Sequence, residues 1–395
     1  MSKVSPTKET RHIPYGQQWL DDEDIEAVVT VLRSDWLTTG PKVAEFEEAF
    51  ARFVGAQEAV AVSNGTASLH AAINALDIGP GDEVIVPTMT FAATANCILF
   101  EGGTPIFVDV EPETLLIDPA RVEAAITERT KAIIAVDYAG QPCDYDALQT
   151  IANQHNLALI DDACHAIGGT YKGRSVGILA DLNTFSFHPV KHIATGEGGM
   201  ITTNSSQLAK KMRTFRNHGI TTDHRQRAEQ GSWFYEMVDL GYNYRLTDIQ
   251  CALGLTQLRK LPEWVTRRQT IAQQYNQAFR DISGLTPLTV RPEVNHAYHL
   301  YVVRLDLNLL VASRSEIFTE LREAGLGVNV HYIPVHRHPF YQKRFGYQKG
   351  LCPVAEAAYE QILSLPMFPK MSDDDVQYVI DIIERVLRPH LQQAG

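Results

Sequence analysis

Between about residue 20 and residue 250, short apolar runs rich in β-formers alternate with segments of helical spacing. The runs are Ala59–Val62, Glu83–Pro87, Pro105–Val108, Ala132–Val136, Ala158–Asp161, Thr184–Phe187 and Met200–Thr202. Between the first two, Leu69, Ala72, Ile73 and Leu76 recur as one face of a helix requires. A chain with this rhythm buries both faces of its strands as a mainly parallel sheet with helices on either side. Such an α/β architecture puts chemistry in the loops after the strands, since ligands sit at the strands' carboxyl ends.

The rhythm breaks after about Asp248. The spacing predicts a long helix over Thr247–Arg280, bent at Pro262. Then come a β-run at His299–Leu305, a helix at Ser313–Glu323, a second β-run at Val328–Tyr332, and helices near Val354–Leu363 and Asp373–Leu387. The chain therefore divides into a tail and pocket edge (1–19), a large α/β domain (20–250) and a small C-terminal α+β domain (251–395). A length of 395 residues suffices for more than one core.

Charge and cysteines narrow the partners. The formal net charge of −12 argues against non-specific binding to nucleic acid or to an anionic membrane, while a local basic pocket stays open. Cys97, Cys143, Cys164, Cys251 and Cys352 contain no CxxC pair and read as free thiols of a reducing cytoplasm. The uncharged stretches Ala59–Leu76 and Val84–Phe100 hold too many polar groups to span a bilayer. The N-terminal MSKVSPTKETRH has no apolar core of a signal peptide and reads as a frayed tail.

Three fragments that follow strands carry reactive groups. SNGTAS (63–68) leads into a helix, whose open N–H groups suit a phosphate and whose Gly65 permits close approach. A plain capped helix start has the same residues. LALIDDACHAIG (157–168) ends a strand on Asp161 and Asp162, of which one faces a given ligand because neighbours on a strand point oppositely. Helix capping is the competing role. FSFHPVKHIATGEGG (185–199) sets Lys191 among Phe185, Phe187, Val190 and Ile193. Such burial lowers a lysine's pKa and frees its amine for Schiff-base chemistry, whereas a lone lysine is ordinarily a surface residue.

Together these are the parts pyridoxal phosphate (PLP) requires. A cradle holds its phosphate, a lysine holds its aldehyde, and an acid keeps its pyridine nitrogen protonated so that the ring draws electrons. Phe91, in TMTFAAT (88–94), could stack on that ring.

At this point the sequence resembles the fold-type I PLP enzymes of the DegT/StrS sugar-nucleotide aminotransferase family, from about Ile13 to the C-terminal helices. The resemblance is carried by SDWLTTGP (34–41), SNGTASL (63–69), TFAATAN (90–96), VDYAGQ (136–141), DDACHAIG (161–168), FSFHPVK (185–191), GEGG (196–199), GYNYRLTDIQ (241–250) and VHYIPVH (330–336). Within the family, VDYAGQ, SFHPVK, NYRLTDIQCALGLTQLRK and VHYIPVH resemble the pseudaminic acid branch.

The resemblance implies residue roles. Lys191 would be the Schiff-base lysine and proton shuttle, Asp162 the pyridinium partner with Asp161 turned away, and His165 the neighbour of the cofactor's 3′-oxygen. Thr66, Ala67 and Ser186 would hold the phosphate and Phe91 would cover the ring. Asn243 would reach the phosphate of a neighbouring subunit, so the site would need a homodimer. Arg245 would meet an anionic substrate group, and His331 would line the sugar pocket. Tyr15 either lines that pocket or is a core aromatic. His331, His336 and His338 fit no standard zinc pattern, so no metal is expected. His188 and His192 read as structural, and Glu197 and Gly198 as shaping a turn.

The expected reaction moves an amino group from L-glutamate, through pyridoxamine phosphate, to C4 of a UDP-linked 4-keto-6-deoxy-N-acetylhexosamine, on the way to pseudaminic acid of bacterial flagella. Related dehydratases carry His at the lysine position, and Lys191 argues against that class. Competing readings are an aminotransferase for another nucleotide-linked 4-keto or 3-keto sugar and a non-catalytic PLP-binding regulator. Retention of lysine, acid and cradle together argues against the regulator.

Overall fold

The computed structural model describes residues 11–222, 224–229 and 231–392. The first ten residues of the expected tail lie outside the described residues. Each of the seven apolar runs forms a strand: β1 (Glu58–Val62), β2 (Glu83–Pro87), β3 (Thr104–Val108), β4 (Thr130–Val136), β5 (Ala158–Asp162), β6 (Leu182–Ser186) and β7 (Gly199–Thr203). They make one sheet in the order β1-β7-β6-β5-β4-β2-β3. The sheet is parallel except at β7, which runs antiparallel to both β1 and β6. Helices Gly65–Ala75, Ala92–Phe100 and Tyr145–His155 connect successive strands.

Helix starts follow local chemistry. Asn64 caps Gly65–Ala75 through a bond from Ala67 N–H, and Thr247 with Gln250 forms a capping box at Asp248–Phe279. Such caps stabilise by about 1 kcal/mol each. Asp248–Phe279 is a single helix with Pro262 inside it. It serves two cores: Cys251, Leu258, Leu261, Trp264 and Val265 pack with the large sheet, whereas Ile271, Ala272, Tyr275 and Phe279 pack in a second cluster. That second cluster surrounds a three-stranded sheet of Leu285–Pro287, Tyr301–Leu305 and Ile362–Leu365.

Two predicted elements differ. The run Val328–Tyr332 is not a strand. It meets Ile362–Leu365 through one bridge, Asn329 with Ser364, and the Asn329 side chain then takes the N–H of Val330, which diverts the backbone. The helix near Val354–Leu363 ends at Gln361, and Ile362–Leu365 pairs with Tyr301–Leu305 instead. An apolar segment leaving a helix reads as its last turn until its sheet partner is known.

Candidate active site

The loops after β1, β2, β5 and β6 meet at the carboxyl edge of the sheet. Gly65 brings the start of its helix against β6: a Cβ there would lie 2.7 Å from Ser186 Cβ and 3.1 Å from its Oγ. The helix start at Gly65 thus lies against Ser186. The Ala67 amide donates to Asn64 Oδ1 at 2.8 Å, which leaves the amides of Gly65 and Thr66 as the cradle's donors for an anion.

Asp161 and Asp162 point to opposite faces of β5. Asp162 Oδ2 accepts from Thr94 Oγ1 at 2.8 Å and its Oδ1 from Cys164 N at 3.3 Å. Asp161 is fully buried on the other face with both oxygens unpartnered. Burial and the neighbouring Asp137 hold its carboxyl well above the ordinary carboxylate range. Burial likewise pushes Asp137 up to about 7, although Asp137 Oδ1 accepts from Cys143 N and Tyr145 OH at 2.9 Å each. Burial thus disfavours the charged forms of Asp137 and Asp161 behind the strand, and Asp162 is the acid on the site's face.

Lys191 is half-buried in the loop after β6, its N–H bonded to His188 O at 2.8 Å. Burial lowers its amine pKa, with Cys164 and Asp162 pulling the other way. His165 is buried and its Nε2 lies 3.0 Å from Tyr332 OH. The ring of Phe91 is 60% exposed and 6.0 Å from that of Tyr332, so one of its faces is open to a ligand. Tyr15 and His331 come together with ring centres 5.5 Å apart. His331 Nδ1 lies 2.8 Å from Ser364 Oγ, its carbonyl accepts from Tyr138 OH, and burial beside Lys191 takes its pKa down to about 4.

Asn243 and Arg245 flank Tyr244, whose carbonyl accepts from the N–H of Ser63 at 2.8 Å, at the start of the cradle loop. Asn243 is exposed. Arg245 donates to Asn217 at 2.9 Å and lines a cavity of about 700 Å³ with Lys210, Arg213 and Arg216, a lining that includes neither Asp162 nor Lys191. Among the described residues no cluster of three or more His, Cys, Asp or Glu could hold a metal, and His336 is bonded to Thr88 and Glu356.

Residues 18–384 match the model of the DegT/DnrJ/EryC1/StrS aminotransferase family. The chain belongs to that family. The spore coat polysaccharide biosynthesis protein SpsC of Bacillus subtilis is 45% identical over 96% of this chain and 98% of its own length. PseC of Helicobacter pylori, an aminotransferase of pseudaminic acid biosynthesis, superposes with a TM-score of 0.90 at 32% identity, over 96% of this chain and 100% of that one. Spr1654, a proposed sugar aminotransferase of Streptococcus pneumoniae, superposes in its PMP-form with a TM-score of 0.89 at 36% identity, over 95% of this chain and 98% of that one; it has also been solved in a PLP-form.

This DegT-family chain is a PLP-dependent sugar aminotransferase of the fold-type I class. The residues present fit the cofactor: the cradle at Gly65 would be filled by any Cβ, and His165 Nδ1 is buried without a partner beside Asp162 and Lys191's loop. Three contributors escaped the sequence reading. Thr94 lies within TFAATAN and Tyr332 within VHYIPVH, but a threonine on a helix and a tyrosine between apolar residues look like core until the fold brings them to Asp162 and His165. Cys164, between the acid and His165, is the third. No described helix is long and apolar enough to cross a membrane.

Proposed function

We propose that the chain transfers the amino group of L-glutamate to C4 of UDP-2-acetamido-2,6-dideoxy-β-L-arabino-hexos-4-ulose, giving UDP-4-amino-4,6-dideoxy-N-acetyl-β-L-altrosamine. The observation carrying this reading is the convergence of Lys191, Asp162 and the Gly65–Ser186 cradle in a chain that superposes on PseC over 96% of its length. Bound PLP supplies an electron sink for charge developing on the amino-bearing carbon. Thr66 and Ser186 hold its phosphate, Asp162 holds a proton on its ring nitrogen, and Phe91 covers one face. Lys191, its amine pKa depressed by burial, carries the proton between donor carbon and acceptor carbon. His331 and Tyr15 border the sugar.

The active form in this reading is a homodimer in which Asn243 and Arg245 serve the partner's site. The exposure of Asn243 supports it, as do Trp233, Met237 and Leu240, which are 85%, 66% and 71% exposed. Apolar side chains so open rarely stay uncovered together.

A second reading, amination of another nucleotide-linked 4-keto or 3-keto sugar, is favoured by the 45% identity to SpsC, which exceeds the 32% to PseC. Incubation with glutamate and the β-L-arabino keto sugar decides. Release of 2-oxoglutarate with formation of the amino sugar is expected; turnover only of the D-xylo-hexos-4-ulose isomer would reassign the substrate.

A further inference from the structure

Three buried imidazoles stand in a row behind the site. His165 and His299 have ring centres 4.4 Å apart, and His299 and His192 5.7 Å apart. His165 follows β5, His192 adjoins Lys191, and His299 enters from the segment before strand Tyr301–Leu305 of the small sheet. The Nδ1 atoms of all three are buried without a hydrogen-bond partner. An unpaired buried polar atom costs about 1–3 kcal/mol. No polar bond from these nitrogens fixes the rings, and their orientation rests on the remaining contacts.

The backbone of His299 is fixed from two sides. Arg268 Nη1 donates to the carbonyls of Tyr298, His299 and Met367 at 3.0, 3.3 and 2.9 Å. Gly140 packs so closely that a Cβ there would lie 2.9 Å from His299 N. His192 is anchored by its Nε2, 2.9 Å from Ala297 O. His165 has a single polar tie, to Tyr332 OH. Its ring plane is therefore set by what lies against it: Tyr332 at 6.0 Å and His299 at 4.4 Å.

We propose that His299 is a positioning residue that acts through His165, its ring holding the His165 imidazole in the one orientation that serves the cofactor. The proposal rests on the reading that Lys191 carries PLP beside His165. The charged and titratable groups facing the row are Lys191, Arg268, His296, His331 and Tyr332. Burial, with Lys191 adding to it, keeps all three imidazoles uncharged, so the contact between His165 and His299 persists without mutual repulsion. The Arg268 clamp fixes the backbone from which His299 reaches the row, and so ties the small domain to the cofactor's surroundings.

The test uses the PLP-loaded enzyme with His299→Ala, which removes the ring, and His299→Phe, which keeps a ring without its nitrogens. Should the Ala variant fail to accumulate, His299→Leu replaces it. The first readout is the pH midpoint of the lysine-bound cofactor's absorbance change; the second is the single-turnover rate with glutamate. Loss of the ring is expected to move the midpoint by about half a pH unit or more and to slow the half-reaction about ten- to a hundredfold. Phe is expected to restore both and, with one unpaired nitrogen fewer, to melt no lower than the wild type. The proposal is overturned if the Ala or Leu variant changes melting temperature alone, or if Phe fails to restore midpoint and rate. If borohydride traps no cofactor on Lys191 of the wild type, the cofactor reading itself fails, and the proposal with it.

Discussion

Thr94 Oγ1 donates to Asp162 Oδ2 at 2.8 Å in a fully enclosed setting, and Thr90 Oγ1 stands 2.7 Å from Thr94 Oγ1. A hydroxyl has one proton to give. With Thr94's directed at the carboxylate, Thr90 must donate to Thr94, and the two threonines form a chain ending on the acid. The chain holds the Asp162 carboxyl in one rotamer. A hydrogen bond to a charged group is worth about 1.5–3 kcal/mol. Thr94→Val, close in shape, is therefore expected to weaken PLP binding and slow the glutamate half-reaction by about one to two powers of ten, given that 1.4 kcal/mol is tenfold. Absorbance titration of the apoenzyme with PLP measures the first effect. Equal affinity in variant and wild type would show that Thr94 only packs.

Lys191 provides a pH signature. An amine attacks an aldehyde only when unprotonated, and burial depresses this amine's pKa. The rate of reconstitution of apoenzyme with PLP is thus expected to rise with pH with a midpoint below about 10.4, the ordinary lysine value. Stopped-flow absorbance across that range provides the check; a midpoint at or above about 10.4 contradicts the depression. Lys191→Ala is expected to bind PLP without a borohydride-stable link and to lose about 10²–10⁴-fold in the half-reaction, the usual share of a positioned proton carrier.

Much of this was legible from periodicity. The seven runs became strands because each is bounded by residues that end a strand and is buried on both faces, so local pattern and tertiary demand agree. Strand alternation shows that only one of Asp161 and Asp162 faces the site; the choice of Asp162 came from the family resemblance, not from the alternation. What stayed hidden depends on pairing across long sequence distances. Ile362–Leu365 is a strand only because Tyr301–Leu305 lies beside it, and Val328–Tyr332 is not one because Asn329 spends its side chain on its neighbour's N–H. Tyr332 meets His165 across 167 positions, and nothing local to either residue announces the contact.

Behind β5, the buried pair Asp137 and Asp161 links stability to pH. In the unfolded chain Asp137 and Asp161 ionise near 3.9. In the folded chain Asp137 is raised to about 7 and Asp161 well above its ordinary value, chiefly by burial. The unfolded state thus releases protons first, and stability falls as pH rises from about 4 towards 7 and beyond. Asp161→Asn removes one titrating member while keeping its shape. The variant is expected to gain melting temperature relative to wild type at pH 8, with little gain at pH 4.5. Thermal denaturation of the apoenzyme at both values tests this; a variant that loses ground on going to pH 8 would mean that Asp161 is ionised in the fold.

Sharing of sites between subunits can be tested by mixing two defective chains. Lys191 lies in the loop after β6, and Asn243 is exposed, next to Tyr244, whose carbonyl accepts from Ser63 N–H. If Asn243 completes the partner's phosphate site, Asn243→Asp sets a carboxylate against that phosphate and should empty both sites of a homodimer. Lys191→Ala disables both by another route. In a mixed dimer the symmetry operator pairs both lesions in one site and leaves the other intact, so random mixing restores roughly a quarter of the sites. Unfolding and co-refolding the two variants, then measuring 2-oxoglutarate release against each variant alone, reads this directly. Recovery requires that Lys191 of one chain work with Asn243 of the other. Failure to recover, in a sample shown by mass to contain mixed dimers, would place Asn243 in its own chain's site or outside any site.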